Sequence, residues 1–116
     1  NQLATGTIYD ATIQVNVAKG ADAGTLASQE LAEAEQMLAQ AETALKKGEG
    51  NQAYRFGMRA YLKARVAEAI AIASRKEEQA ATVTKELESK VGAVEVARRQ
   101  FEETEDELEK LRATSP

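Results

Sequence analysis

The segment Leu31–Gly50, LAEAEQMLAQAETALKKGEG, decides the fold of this 116-residue chain. Its apolar residues alternate between intervals of three and four, the spacing of a helix face that packs on another helix; they are Leu31, Ala34, Leu38, Ala41 and Leu45. Lys46 and Lys47 suit the negative end of a helix dipole, and Gly48 follows where helices commonly end. Two glycines around Glu49 then indicate a tight turn. The segment therefore predicts a helical hairpin.

The residues after this turn show no signal that would end a helix before Arg112. Five apolar residues repeat there at intervals of seven: Ala80, Leu87, Val94, Phe101 and Leu108. We predict helices over 28–47 and 51–112, with 74–112 resembling a coiled coil. Gly92 offers an alternative, a fold-back that would give a short four-helix bundle. The apolar pattern keeps its phase across Gly92, which favours one continuous helix.

The residues before the hairpin allow two interpretations. Three of them alternate as in a strand, namely Ile13, Val15 and Val17, whereas a helical stripe contains Ile8, Ala11, Val15 and Ala18. Because no second strand pattern follows, we predict a short helix over 8–19. Residues 1–7 are expected to be loose, and Gly20 and Gly24 mark the connection to the hairpin.

Composition supports the same fold class. Ala, Glu, Lys, Leu and Arg together exceed half of the chain, which is typical of long helices and coiled coils. We therefore predict an all-α protein, a single helical domain over 1–116. It consists of a short N-terminal helix, a tight helical hairpin and a long C-terminal helix that extends as a coiled-coil arm.

The residue types argue against several kinds of function. The chain contains no Cys and no His, which removes thiol and imidazole catalysis and the usual ligands of zinc. Its 15 basic and 19 acidic side chains give a net charge of −4, which disfavours general nucleic-acid binding. No run is long and apolar enough for a transmembrane segment. We expect no enzyme activity, no catalytic residues, no cofactor and no metal site.

Helix lengths point to the first candidate site. The predicted long helix would extend about 90 Å, of which its hairpin partner covers about 27 Å. The uncovered part carries an apolar face that we name the distal seam: Val83, Leu87, Val91, Val94, Phe101, Leu108 and Leu111. Because such a face is unfavourable in water, we predict that it binds protein, either another copy in a homo-oligomer or a different partner.

A second candidate lies near the start of the long helix. Arg55, Arg59 and Lys63 are spaced by four residues and share a face, with Tyr61 nearby. This set, the basic patch, could contact an anionic partner with aromatic support. The alternative is the ordinary wet face of a hairpin.

Two features resemble a known protein family. They are the segment Ala18–Leu31, AKGADAGTLASQEL, and the small residues spaced along the hairpin. Over about residues 10–73 the chain resembles an Ala-rich helical domain of unknown function found in Gram-negative envelope lipoproteins, sometimes preceding an OmpA-like domain. It departs from that pattern at Ser28, where Pro is frequent, and at Gly50, where an aromatic residue is usual. The resemblance implies a periplasmic, outer-membrane-associated protein with a lipid anchor on a Cys before Asn1, and it implies no catalytic residues.

The hairpin from Ala34 to Ala67 also resembles a single tetratricopeptide-like unit. No repeat of that length follows, so an array is not expected. Two functions remain open. The first is a structural or scaffolding protein of the bacterial cell envelope that acts through helix–helix interaction. The second is an adaptor that binds protein through the hairpin surface.

Overall fold

A computed structural model describes residues 1–115 and confirms the all-α fold. Four helices follow one another: α1 (Gln2–Gly20), the single turn α2 (Ala23–Leu26), α3 (Ser28–Lys46) and α4 (Gly50–Thr114). No strand occurs among the described residues. The chain divides into two units. The first, Asn1–Glu77, contains α1, α2, α3 and the beginning of α4, and the second, from Glu78 onward, contains the rest of α4.

Three helical segments pack together in the first unit. Gln14 donates a hydrogen bond of 2.8 Å to Glu68, and Gly57 lies against Thr7, so α1 and α4 run in the same direction. Lys63 of α4 lies 2.7 Å from Glu33 of α3, and the turn that joins these two helices makes them antiparallel. The unit is therefore an up-down-up arrangement of three helices.

The core of this unit is built mainly from methyl groups. Thirteen of the sixteen buried apolar residues are alanines, and the other three are Ile8, Val15 and Leu31. Alanine buries little area, so the helices gain contact by approaching closely rather than by interlocking large side chains. Gly57 marks one such approach, because a Cβ added there would lie 3.1 Å from Thr7 Cγ2 and 3.4 Å from Ile8 Cγ1.

The expectation that residues 1–7 are loose is wrong, since α1 begins at Gln2. Asn1 caps the helix: its Oδ1 accepts hydrogen bonds from the backbone N–H groups of Leu3 and Ala4 at 3.0 and 3.3 Å. Ala4 and Thr7 are buried and so tie this first turn to the core. The strand-like alternation further along has no structural counterpart.

The connection between α1 and α3 turns at an aspartate rather than at a glycine. Asp22 has φ +67°, a left-handed conformation that Asp adopts more readily than most residues. Gly20 ends α1 and Gly24 lies inside α2, so the connection predicted from these glycines contains an additional helical turn. Arg75 of α4 lies 3.5 Å from the Asp22 carboxylate.

The predicted hairpin turn is confirmed. Gly48 has φ +76°, and its N–H donates to Leu45 O at 3.1 Å while Glu49 N–H donates to Ala44 O at 2.9 Å. These two bonds form a Schellman motif, which satisfies carbonyl groups that the end of α3 would otherwise leave unpaired. Gly50 already belongs to α4, and a Cβ there would lie 2.5 Å from Asn1 Nδ2.

The second unit is helical through Gly92, so the alternative of a fold-back at this residue is not adopted. A Cβ added at Gly92 would meet nothing within 4 Å. The helix needs no glycine at this position, because the surrounding space is open.

We expect Gly57→Leu to destabilise the first unit, because the added side chain enters the contact with Thr7 and Ile8. Overpacking of this kind lowers the free energy of unfolding by about 1–3 kcal/mol. Gly92→Leu is the matched control in the same helix, and it should leave stability unchanged or raise it by up to about 1 kcal/mol. Denaturant unfolding followed by circular dichroism at one protein concentration measures both; equal effects would contradict the close approach at Gly57.

Candidate functional site

Every residue of the distal seam is exposed. The exposed fractions run from 47% at Leu108 to 67% at Leu111, and Phe101 is 64% exposed. All described side chains from residue 75 onward are exposed. This exposure is the observation on which the prediction of protein contact rests, because contiguous apolar surface is unfavourable in water.

The local sequence explains why this part of the chain stays helical without packing. Hydroxyl groups of Thr82, Thr84 and Thr104 are satisfied by backbone carbonyls four residues earlier, at 2.9–3.0 Å, although these bonds do not themselves favour the helix. Arg98 and Glu95 form an ion pair at 3.6 Å on the helix surface. Residues of high helix propensity dominate the rest. The seam side chains are therefore presented on a regular helix, all within the second unit.

The basic patch is split between two sides of α4. Lys63 points to α3, where it meets Glu33, whereas Tyr61 lines an open groove with Thr7 and Asp10 of α1. Arg55 and Arg59 are exposed, and the Arg59 guanidinium lies 6.0 Å from the centre of the Phe56 ring. Of the four predicted residues, Arg55 and Arg59 therefore remain exposed, whereas Lys63 faces α3 and Tyr61 faces α1.

The contact between Lys63 and Glu33 shifts the pKa of both side chains. The hydrogen bond from Lys63, followed by one from Gln29 and the attraction of the ammonium charge, lowers the pKa of Glu33 below its ordinary 4.5. The hydrogen bond to Glu33 and its charge raise the pKa of Lys63 above 10.5. The pair is solvent-exposed, so it contributes a modest stabilisation of α3 against α4.

Sequence reasoning missed a second exposed apolar stripe, which lies in the first unit. Leu62 and Val66 on the outer face of α4 are 52% and 47% exposed. The signal was present, since Leu62, Val66, Ala69 and Ala73 are spaced by four, three and four. The exposed stripe was overlooked because the same helix also carries the buried stripe. A helix with apolar residues on two sides has no single dominant apolar face.

Within residues 1–115 the structure brings no three acidic side chains together as a metal site. A surface cavity of about 360 Å³ lies between α3 and α4 and is lined by Gln36, Gln40, Thr43 and Gln52 among others. Two charged side chains at the hairpin turn, Lys47 and Glu49, also line this cavity, and both are exposed.

None of the described helices has the length and hydropathy needed to cross a membrane.

The fold defines a small all-α protein whose last helix carries an exposed apolar seam. The chain belongs to the family described as "Domain of unknown function (DUF4398)", whose model matches residues 7–83. The matched range is wider than the resemblance at 10–73 and includes only Val83 of the distal seam. No curated protein and no solved structure matches the chain.

We expect Lys63→Met to lower the melting temperature slightly near neutral pH, because Glu33 loses its partner. The lowered pKa of Glu33 means that its contribution is present above 4.5 and is lost as the pH falls below that value. The raised pKa of Lys63 means that its contribution is lost as the pH rises above 10.5. The difference in melting temperature between Lys63→Met and the wild type should therefore be largest between pH 4.5 and pH 10.5.

Melting curves measured from acid to alkaline pH by circular dichroism test this expectation. Lys76→Met is the control, since Lys76 is exposed in the same unit and forms no ion pair among the described residues. A pH-independent effect of Lys63→Met would show that the pair contributes nothing.

Proposed function

We propose that this protein is a non-enzymatic structural or scaffolding protein of the bacterial cell envelope that self-associates through the distal seam. One observation carries the proposal: seven apolar side chains on one regular helix are all at least 47% exposed. Covering them would remove a large apolar area from water, which is the main source of free energy for helix association.

The contrast with the first unit supports this function. There, α4 turns small residues toward its neighbours, and Ala53, Ala60, Ala64, Ala67 and Ala71 are buried completely. In the second unit the seam residues Leu87, Val94, Phe101 and Leu108 also repeat every seven residues, at a different heptad position from these alanines, and their side chains are large. Large apolar residues at heptad spacing are suited to a coiled-coil core, where each side chain fills a space on the partner helix.

The envelope location rests on the resemblance to lipoprotein-associated helical domains. In that setting a lipid anchor would precede Asn1, and the seam would lie in the periplasm at the outer membrane. Membership of the family is consistent with this setting and assigns no activity. An OmpA-like peptidoglycan-binding domain accompanies some proteins of the kind that the chain resembles, which fits a structural role.

The adaptor function has weaker support. It needs the basic patch to act as one surface, but Lys63 is engaged by Glu33 at 2.7 Å and Tyr61 lies toward α1. Arg55 and Arg59 alone present an exposed positive pair. Two exposed guanidinium groups form a smaller recognition surface than the distal seam.

We expect Leu87→Glu combined with Val94→Glu to convert a self-associated protein into a single chain, because two carboxylates would have to be desolvated in the helix interface. Light scattering across a wide range of protein concentration measures the mass. The matched control is Ser89→Glu with Val96→Glu. It adds the same charges two residues after each seam residue, about 200° around the helix, and should retain the wild-type mass.

Retention of mass and helix content in the seam variant would contradict the proposal. A wild type that is already a single chain at every concentration would also contradict self-association.

We expect the protein purified from its native host to be found in the outer-membrane fraction and to carry an acylated cysteine ahead of Asn1. Cell fractionation and intact-mass spectrometry measure location and lipid together. Recovery of an unmodified protein from the cytoplasm would refute the envelope location without bearing on self-association.

A further inference from the structure

The second unit contains two sets of positions that repeat every seven residues and lie along one side of the helix. The first set, the a positions, comprises Ala80, Leu87, Val94, Phe101 and Leu108. The second set, the d positions, comprises Val83, Lys90, Ala97, Thr104 and Leu111. All ten residues are exposed. The a positions are uniformly apolar, whereas the d positions mix apolar and polar side chains, and this asymmetry bears on orientation.

A parallel pair in register would place each residue against its own copy. Lys90 would face Lys90, so two like charges would meet inside the interface, which is unfavourable. Phe101 would face Phe101 while Ala80 faced Ala80, so crowded layers would alternate with underfilled ones. A parallel pairing therefore suits neither the charge nor the sizes of these side chains.

An antiparallel pair places the a positions of one copy against the d positions of the other. When Ala80 lies opposite Leu111, all ten positions find a partner. The layers are then Ala80 with Leu111, Leu87 with Thr104, Val94 with Ala97, Phe101 with Lys90, and Leu108 with Val83. A shift by one heptad in either direction leaves two positions of each copy without a partner.

These layers are complementary in size and in charge. Each alanine faces a larger residue, Leu111 or Val94, which fills the space that the methyl group leaves. Lys90 forms no ion pair among the described residues, and its ammonium group would meet the Phe101 ring, a favourable cation–π arrangement. Thr104 can be covered by Leu87 because its hydroxyl already donates to Gln100 O at 2.9 Å.

The flanking residues oppose this pairing only weakly. In the antiparallel register Glu86 comes near Glu107 of the other copy. Both side chains lie at the edge of the interface, in contact with water, where charge pairs contribute little. Val91, the one residue of the distal seam outside the a and d positions, lies at the opposite edge of the interface. The five kinds of core layer, each of which occurs twice in the pair, therefore decide the orientation.

We propose that a second copy of this chain covers the face formed by the a and d positions in antiparallel orientation, with Ala80 opposite Leu111. This inference rests on the proposed self-association and adds its direction and register. Each end of the paired region then brings together an N-terminal and a C-terminal end of the second unit.

Spin labels test the direction without touching the face itself. Thr82→Cys and Lys110→Cys place labels on the outer side of the helix, and the chain has no other cysteine. In the antiparallel register each variant alone should give an intermolecular distance of at least about 40 Å, since the two labels lie far apart along the axis. An equimolar mixture, unfolded and refolded together, should add a short distance that neither variant gives alone.

The outcomes separate the two proposals. Short distances in each single variant would show a parallel pair, which overturns the antiparallel inference and leaves self-association standing. A protein of double mass with no short distance in the mixture would overturn the register. A protein of single-chain mass with no intermolecular distance would overturn self-association itself. The label distances should also vanish when Leu87→Glu and Val94→Glu are added, since those changes remove the pairing.

Discussion

The close contact of small residues between helices is the constraint on which the first unit depends. Its core is mostly methyl groups, so each buried residue contributes little hydrophobic free energy, and the helix backbones must lie close together for contact to be made at all. At Gly57 the backbone of α4 lies so close to Thr7 and Ile8 that even an added Cβ would be crowded. At that contact the three-helix unit leaves no space for a larger side chain.

The same helix serves two kinds of contact because its residue sizes change along its length. Up to Ala71 the buried positions of α4 are alanine or glycine and belong to the intrachain core. Beyond Glu78 the distal seam consists of leucine, valine and phenylalanine at other heptad positions of the helix, and all of them are exposed. The family match ends at residue 83, near this change, so the distal seam lies beyond the matched range except for Val83. The proposed envelope function assigns intrachain packing to the first unit and assembly to the second.

Periodicity and turn chemistry were sufficient to predict most of the fold. The alternating intervals before Gly48 gave the hairpin, and the unbroken phase across Gly92 gave the long helix. The first turn of α1 was missed although its signals are present in the sequence: Ala4 extends the stripe of Ile8 and Ala11 by one more interval of four, and Asn1 is a residue type favoured at helix N-caps. The candidate sites were predicted in part. The distal seam follows from sequence spacing, whereas the separation of Tyr61 from Lys63 depends on which neighbouring helix each side chain meets.

The order of the helices has a consequence for how the first unit assembles and opens. The contacts of α3 with α4 join neighbours across one turn, whereas those of α1 with α4 join residues some fifty positions apart, such as Gln14 and Glu68. Local contacts form at a smaller cost in loop entropy, so α3 should pair with each of its chain neighbours, α1 and α4, before α1 and α4 meet. Opening would follow the reverse path. The contact between α1 and α4 would open first, and the alanines of α4 that α1 covers would be the first part of the core to meet water.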